Sequence, residues 1–249
     1  MSTDEPIQVE YRDRVAIITL NQPAKLNALN QDGYYKLALA MHEVAARDDV
    51  YITVLTGKGR FFSAGADVSI GSSTAPSTSP SDTKKFWLSS FVSNNLHITH
   101  AFYTHPKILV CALNGPAVGL SAALIAFSDF IYAAPHAFLL TPSPPSASKK
   151  ISCEELVQTG FVNKVFDVGG KGKSEEFLGE VLREVEDRLG SHLNGESLLG
   201  IKKLIRKPEM ESLERQGVEE VFAGLQRFVK GVPQEEFRRV ASGEKKHKL

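Results

Sequence analysis

Apolar and polar positions fall into blocks that change period along the chain. Ile7–Tyr11 and Arg14–Leu20 ("RVAIITL") are β-branched runs parted by "RD", which predicts a hairpin. Over Asn30–Ala46 the apolar positions Tyr34, Leu37, Met41 and Val44 recur at helical spacing, with Asn30 as the capping residue. Tyr51–Leu55 and Ile108–Leu113 are continuous apolar runs of strand length, and Thr83–Thr104 between them reads as a helix. A helix over Leu120–Phe127 leads into two strands, "FIYAA" and "AFLL". A short helix, the strand "FVNKVF" and three helical stretches from Ser174 to Val229 follow. Strand, strand, helix is the unit that recurs in the first half, and helices fill the last third. The expected fold class is therefore α/β, with a core over 1–170 and a helical region with a tail over 171–249.

Composition narrows what such a chain does. Its 249 residues are 42% hydrophobic and 23% charged, the balance of a globular protein. Lys+Arg and Asp+Glu both number 29, so no net field favours nucleic acid. Cys111 and Cys153 are too few for a disulfide framework or a zinc site, and free thiols are expected. The N-terminal "MSTDEPIQVE" lacks the apolar centre of a signal peptide, and Pro116–Phe127, the most apolar run, is far short of a membrane span. His97 and His100 share a helix face, and His105 follows in the same stretch, but no carboxylate or cysteine joins them. Structural roles are expected for all three. The final His247-Lys248-Leu249 is a variant of the Ser-Lys-Leu peroxisomal address, and equally a frayed basic tail.

Two glycine-rich turns carry the candidate chemistry. "GRFFSAGAD" (Gly59–Asp67) and "NGPAVGLSAAL" (Asn114–Leu124) each follow a strand expected to be buried. Small residues at such turns let backbone approach a ligand, and two turns side by side aim two N–H groups at one oxygen, the geometry of an oxyanion hole. Taken singly, each turn reads as a plain strand-to-helix connection.

These turns, preceded by "NQPAKLNALN", resemble the crotonase (enoyl-CoA hydratase/isomerase) superfamily. The stretches "GRFFSAGADV" and "HPKILVCALNGPAVGLSAALIAFSDFIYAA" are most similar to its fungal peroxisomal Δ3,Δ2-enoyl-CoA isomerases. The resemblance implies a ββα spiral core with a helical C-terminal region, holding an acyl-CoA thioester between the two turns. It assigns the oxyanion N–H groups to Ala66 and Leu120. Ala64, Gly65, Asp67 and Val68 would line the pantetheine end, while Lys25 and Leu26 fall in the loop folded over the CoA adenine and phosphates. Asp67 is expected to brace its turn rather than to act as an acid. The implied activity moves a 3-enoyl-CoA double bond to the 2-trans position in unsaturated fatty acid β-oxidation. No cofactor is implied beyond the CoA of the substrate. A homo-oligomer (trimer or hexamer), peroxisomal localisation and an import receptor reading His247-Lys248-Leu249 complete the expectation.

One piece of the family pattern is not found. Ala123 stands where the hydratases carry their first glutamate, which disfavours water addition. The isomerase glutamate belongs to a two-helix stretch after the strand ending "TP". Here the match runs to Pro142, fails through "SPPSA" (143–147) and resumes near Ser148. The pattern reads as a join across a deletion, with an uncovered apolar face over "FIYAA" and "AFLL" as its expected consequence. Glu154 and Glu155 are either substitutes for the lost carboxylate or ordinary first-turn acids. Three readings follow: an error of splicing or gene prediction in a working isomerase, a non-catalytic acyl-CoA binder or oligomer subunit, and a chain that folds poorly.

Overall fold

The computed structural model describes residues 5–67, 79–141 and 150–244. Val68, the join at 143–147 and the tail 247–249 lie outside the described residues.

Strands β1 (Ile7–Arg12), β2 (Val15–Leu20), β3 (Ile52–Gly57), β4 (Ile108–Leu113), β6 (Phe130–Ala133) and β9 (Lys164–Val165) form one sheet in the order β1-β2-β3-β4-β6-β9. Only the β1–β2 hairpin is antiparallel; every other neighbour pairs in parallel. Parallel strands covered on both faces read as unbroken apolar runs, and every residue of β3 and β4 is buried. A second sheet joins β5 (Ala117–Val118), β7 (Phe138–Leu140) and β8 (Ile151–Ser152).

Alternation along the strands divides the core. Ile18, Leu55, Leu109 and Cys111 face helix α1 (Gln31–Ala45), which buries Tyr34, Leu37, Ala38, Met41 and Val44. Asn30 caps that helix, its Oδ1 accepting the Gly33 N–H at 2.8 Å. Ile17, Val54, Val110 and Tyr132 point to the other face, where α6 (Ser174–Leu189) lays down Phe177, Val181, Val185 and Leu189. The helix expected over Thr83–Thr104 is α2 (Pro80–Trp87) and α3 (Ser93–Tyr103), joined by a π turn over Leu88–Val92.

Four expectations are corrected here. "FVNKVF" contributes only Lys164 and Val165 to the sheet, because only Tyr132 and Ala133 of β6 pair with it. Between Ser174 and Val229 there are two helices, not three. The second, α7 (Gly195–Val229), runs straight through Pro208 and forgoes the N–H of that residue, while a further helix, α8 (Val232–Ala241), comes after it. The helix from Leu120 is α4 (Leu120–Leu124), tightening to 3-10 geometry over Ile125–Phe127. Lastly, the strands beside the join are not bare. Ile131, Tyr132, Ala133, Phe138 and Leu139 are all buried. Helix α6 covers Tyr132 on one side, and Cys153, Leu156 and Val162 pack with Ile131 and Leu139 on the other. The most exposed large apolar side chains sit on α7, at Ile201, Leu204 and Ile205, while Val157 and Val165, which follow the join, are exposed as well.

The helix α7 is pinned to the sheet by charge. Asp129 accepts the Leu109 N–H at 2.8 Å, Lys202 at 2.7 Å and Arg206 at 3.1 Å. Burial pushes the Lys202 ammonium pKa down while Asp129 pulls it up. Removing one partner of a buried pair strands the other charge. Asp129→Asn is expected to cost about 3 kcal/mol, the lower end for such a loss. The urea midpoint should fall at unchanged slope; an unchanged midpoint would show that this cluster is solvated in the native protein.

Two histidines of the 97–105 stretch make contacts inside the fold. His105 is buried with Nε2 2.7 Å from Thr53 Oγ1, and burial drives its pKa down to about 3. The His97 ring lies 5.2 Å from that of His42 and 5.6 Å from that of Tyr35. Cys111 and Cys153 are both free and buried.

Candidate active site

The two glycine-rich turns meet back to back. Gly65 has φ +86°, and a Cβ placed there would come within 2.6 Å of the Val118 carbonyl oxygen and 3.7 Å of the Gly119 Cα. Gly119 has φ +65°, and its would-be Cβ falls 3.9 Å from the Gly65 Cα. Both positions demand a left-handed backbone, and at Gly65 only a hydrogen fits the space. Val118 N–H donates to the Ser63 carbonyl at 2.9 Å, so the turns also share a ladder bond.

This packing leaves two N–H groups over. The segment after Lys25 runs parallel to the first turn: Leu29 N–H donates to Gly65 O and Asp67 N–H donates to Leu29 O, both at 2.9 Å. A parallel bridge of that kind uses the residues flanking Ala66, so the N–H of Ala66 points away from Leu29. Leu120 opens α4, where the first N–H groups have no partner inside the helix. Among the described residues, no backbone carbonyl accepts from either. One residue past each of two abutting glycines, the chain therefore offers a free donor.

Side chains clamp the junction. Ser121 Oγ donates to Ser63 Oγ at 2.9 Å, and Ser63 Oγ donates to the Asn27 carbonyl at 2.8 Å while accepting the Gly65 N–H at 3.1 Å. Asn27 is fully buried and donates from Nδ2 to Lys58 O at 3.0 Å and to Phe61 O at 2.8 Å. Asn114, from the second glycine turn, holds the same stretch, donating to Gly59 O at 2.8 Å and accepting the Gly57 N–H at 3.0 Å. These four polar side chains escaped the sequence reading. All four sit inside the quoted motifs, but serine and asparagine are too common in turns for type alone to assign the role.

The residues expected to bind the CoA end gather on the same side. Lys25 closes a 3-10 turn over Pro23–Lys25, and Leu26 follows in the left-handed region at φ +54°. The Leu26 carbonyl accepts the Ala64 N–H at 2.9 Å, tying this loop to the first glycine turn. Lys25 Nζ lies 3.7 Å from Asp67 Oδ2, an ion pair whose lysine is largely exposed.

Beside Leu120 lies a cavity of ≈ 90 Å³, bounded by α3, α4 and α7. Leu120, Ala123, Leu124 and Phe127 form one wall, Asn95 and Thr99 another, and Gly217, Glu220 and Val221 the third. Among the described residues, Leu120 is the only one of the expected site residues on this wall. Glu154 and Glu155 are absent from the wall as well. Glu155 is spent on a capping box with Ser152, and Glu154 accepts from Gln158 at 3.4 Å.

A fold of this kind with paired donors at adjacent glycine turns defines a class. The family model described as Enoyl-CoA hydratase/isomerase matches residues 15–142, and the chain belongs to that family. A Delta(3,5)-Delta(2,4)-dienoyl-CoA isomerase from Pyricularia oryzae is 52% identical over 275 positions, covering 97% of this chain and 98% of its own length. The 3,2-trans-enoyl-CoA isomerase of Saccharomyces cerevisiae is 33% identical over 277 positions, covering 99% of this chain and 98% of its own. Both alignments exceed the 249 residues of the chain, so both carry gaps on its side. Among solved structures, an enoyl-CoA hydratase/isomerase from Pseudoalteromonas atlantica T6c superposes with TM-score 0.76 at 20% identity, over 98% of this chain and 100% of that one. That likeness establishes the crotonase fold.

Proposed function

We propose that the chain binds an acyl-CoA thioester between its two glycine turns, with the Ala66 and Leu120 N–H groups on the thioester oxygen. The observation that carries this reading is the Gly65–Gly119 contact, which sets the two free donors on either side of one junction. Lys25, Leu26, Ala64, Gly65, Asp67 and Val68 take the CoA and pantetheine, and no cofactor beyond the CoA of the substrate is needed.

The reaction of this site is migration of a double bond from C3 to C2. The hole stabilises the enolate formed when C2 loses a proton, and a carboxylate carries that proton to C4. The second reading is a 3,5-dienoyl to 2,4-dienoyl shift, which begins with the same C2 deprotonation and returns the proton at C6. The activity in the name of the 52% identical relative favours it. In either case the chain is impaired by loss of the segment that held the family's glutamate. The family match ending at residue 142 supports placing the loss at the join, and the gapped alignments support residues missing somewhere along this chain. A non-catalytic acyl-CoA binder is the limit of such impairment.

The peroxisome suits fatty-acyl chemistry of this kind, and "peroxisomal" stands in the name of a mouse relative 28% identical over 258 positions. The exposed Leu204, Ile205 and Phe222 supply an apolar surface for the homo-oligomer that the resemblance implies.

Double-bond migration on 3-hexenoyl-CoA, measured beside a CoA-thioester titration, tests the reading. We expect thioester binding with turnover about 10²–10⁴ below that of an enzyme with a positioned base. Absence of binding would overturn the reading, and turnover at ordinary rates would overturn the impairment.

A further inference from the structure

The geometry points to Glu220 as the carboxylate that exchanges protons with the substrate in this chain, an assignment that rests on the acyl-CoA reading above. Among the described residues, Glu220 is the only acidic residue that lines the cavity shared by Leu120 and Ala123. Ala123 offers no acid there, Glu155 is held in a capping box, and Glu154 accepts from Gln158 at 3.4 Å. The other polar groups on the wall do not compete as bases. The hydroxyl of Thr99 is spent on the Asn95 carbonyl at 2.8 Å, and the Asn95 amide does not take up a proton. No ion pair or hydrogen bond engages the Glu220 carboxylate among the described residues.

The placement of Glu220 is built into α7. Val221 and Leu225 of that helix are buried with Trp87 and Val92. One turn past Glu220, Gly224 lies so close to Phe91 that a Cβ there would stand 2.8 Å from the ring. Asp129 holds the same helix at Lys202 and Arg206. Glu220 is itself exposed, at the outer rim of the cavity.

The step balances without a co-reactant. The Glu220 carboxylate takes a proton from C2, and the electron pair of that C–H bond moves into the thioester carbonyl, whose oxygen gains the charge. When the carbonyl reforms, the pair returns to make C2=C3, the C3=C4 pair moves to C4, and the Glu220 carboxylic acid delivers its proton there.

The test is deuterium incorporation at C2 of 3-hexenoyl-CoA in D₂O, read by mass spectrometry for the full chain and for Glu220→Gln and Glu220→Asp. Thioester affinity and the thermal transition of each are measured alongside. Glu220→Gln should lower exchange to the rate in buffer, with affinity and melting unchanged. Glu220→Asp should recover part of that loss. Equal exchange in the full chain and Glu220→Gln would overturn the assignment while leaving thioester binding standing, as would exchange in the full chain no faster than in buffer. If the full chain binds no thioester, both the assignment and the reading beneath it fall.

Discussion

Gly65→Ala is expected to unfold the junction between the glycine turns and to abolish thioester binding with it. The wild-type backbone there has φ +86°, a region that costs a non-glycine residue about 1–3 kcal/mol. The added methyl also meets the Val118 carbonyl oxygen at 2.6 Å, and that oxygen belongs to backbone held by the Val118–Ser63 ladder bond. It has no room to retreat without parting Ser63 from Ser121. Gly160 supplies the control, because it has φ +75° with nothing within 4 Å of a would-be Cβ. Gly160→Ala should show the backbone cost alone. Gly65→Ala should melt several degrees lower than that control, since each kcal/mol shifts a domain of this size by roughly 2–4 °C. Equal melting temperatures for the two variants would mean that the turns do not touch as described.

Restoring the missing carboxylate is expected to have the largest effect on catalysis. A family-like two-helix segment inserted between Pro142 and Ser148, carrying its glutamate, should raise double-bond migration by about 10²–10⁴. The same segment with glutamine in place of that glutamate should leave the rate near that of the unmodified chain. Paired rates for the two insertions separate a chemical gain from a gain in folding. Equal rates would show that the join never removed the base. Burial of Ile131, Tyr132 and Leu139 already implies that the gain comes from chemistry rather than from covering a bare sheet.

The turns themselves were legible in the sequence because their physics is local. Glycine before Ala66 and before Leu120, each shortly after an unbroken apolar strand, announces close backbone approach, and the structure places those glycines against each other. The strap of Lys25 and Leu26 was legible only through resemblance, since nothing in "PAKLNAL" fixes a partner by itself. The Ser63–Ser121 bond depends on two hydroxyls brought together across the fold, and no periodicity encodes that. Glu220 was invisible for a related reason: its helix reaches the cavity by way of Asp129 and Phe91, contacts far apart in sequence. Three helical stretches were expected over Ser174–Val229, but α7 runs on through Pro208, where tertiary anchoring overrides the local cost of the missing N–H. The supposed bare face was misjudged by counting the helices lost while overlooking the cover that α6 and the Cys153–Val162 segment provide.

The acyl-CoA account stands on two backbone donors sharing one oxygen, and amide NMR reads those donors one at a time. In a ¹⁵N–¹H titration of the full chain with a non-reactive acyl-CoA thioester, the Ala66 and Leu120 resonances should shift together, saturating at one common dissociation constant. Free CoA, which has the adenine and phosphates but no thioester oxygen, should leave both nearly in place while moving residues around Lys25 and Leu26. If the thioester shifts neither amide, or shifts only one of the two, the shared oxyanion site does not exist in this protein.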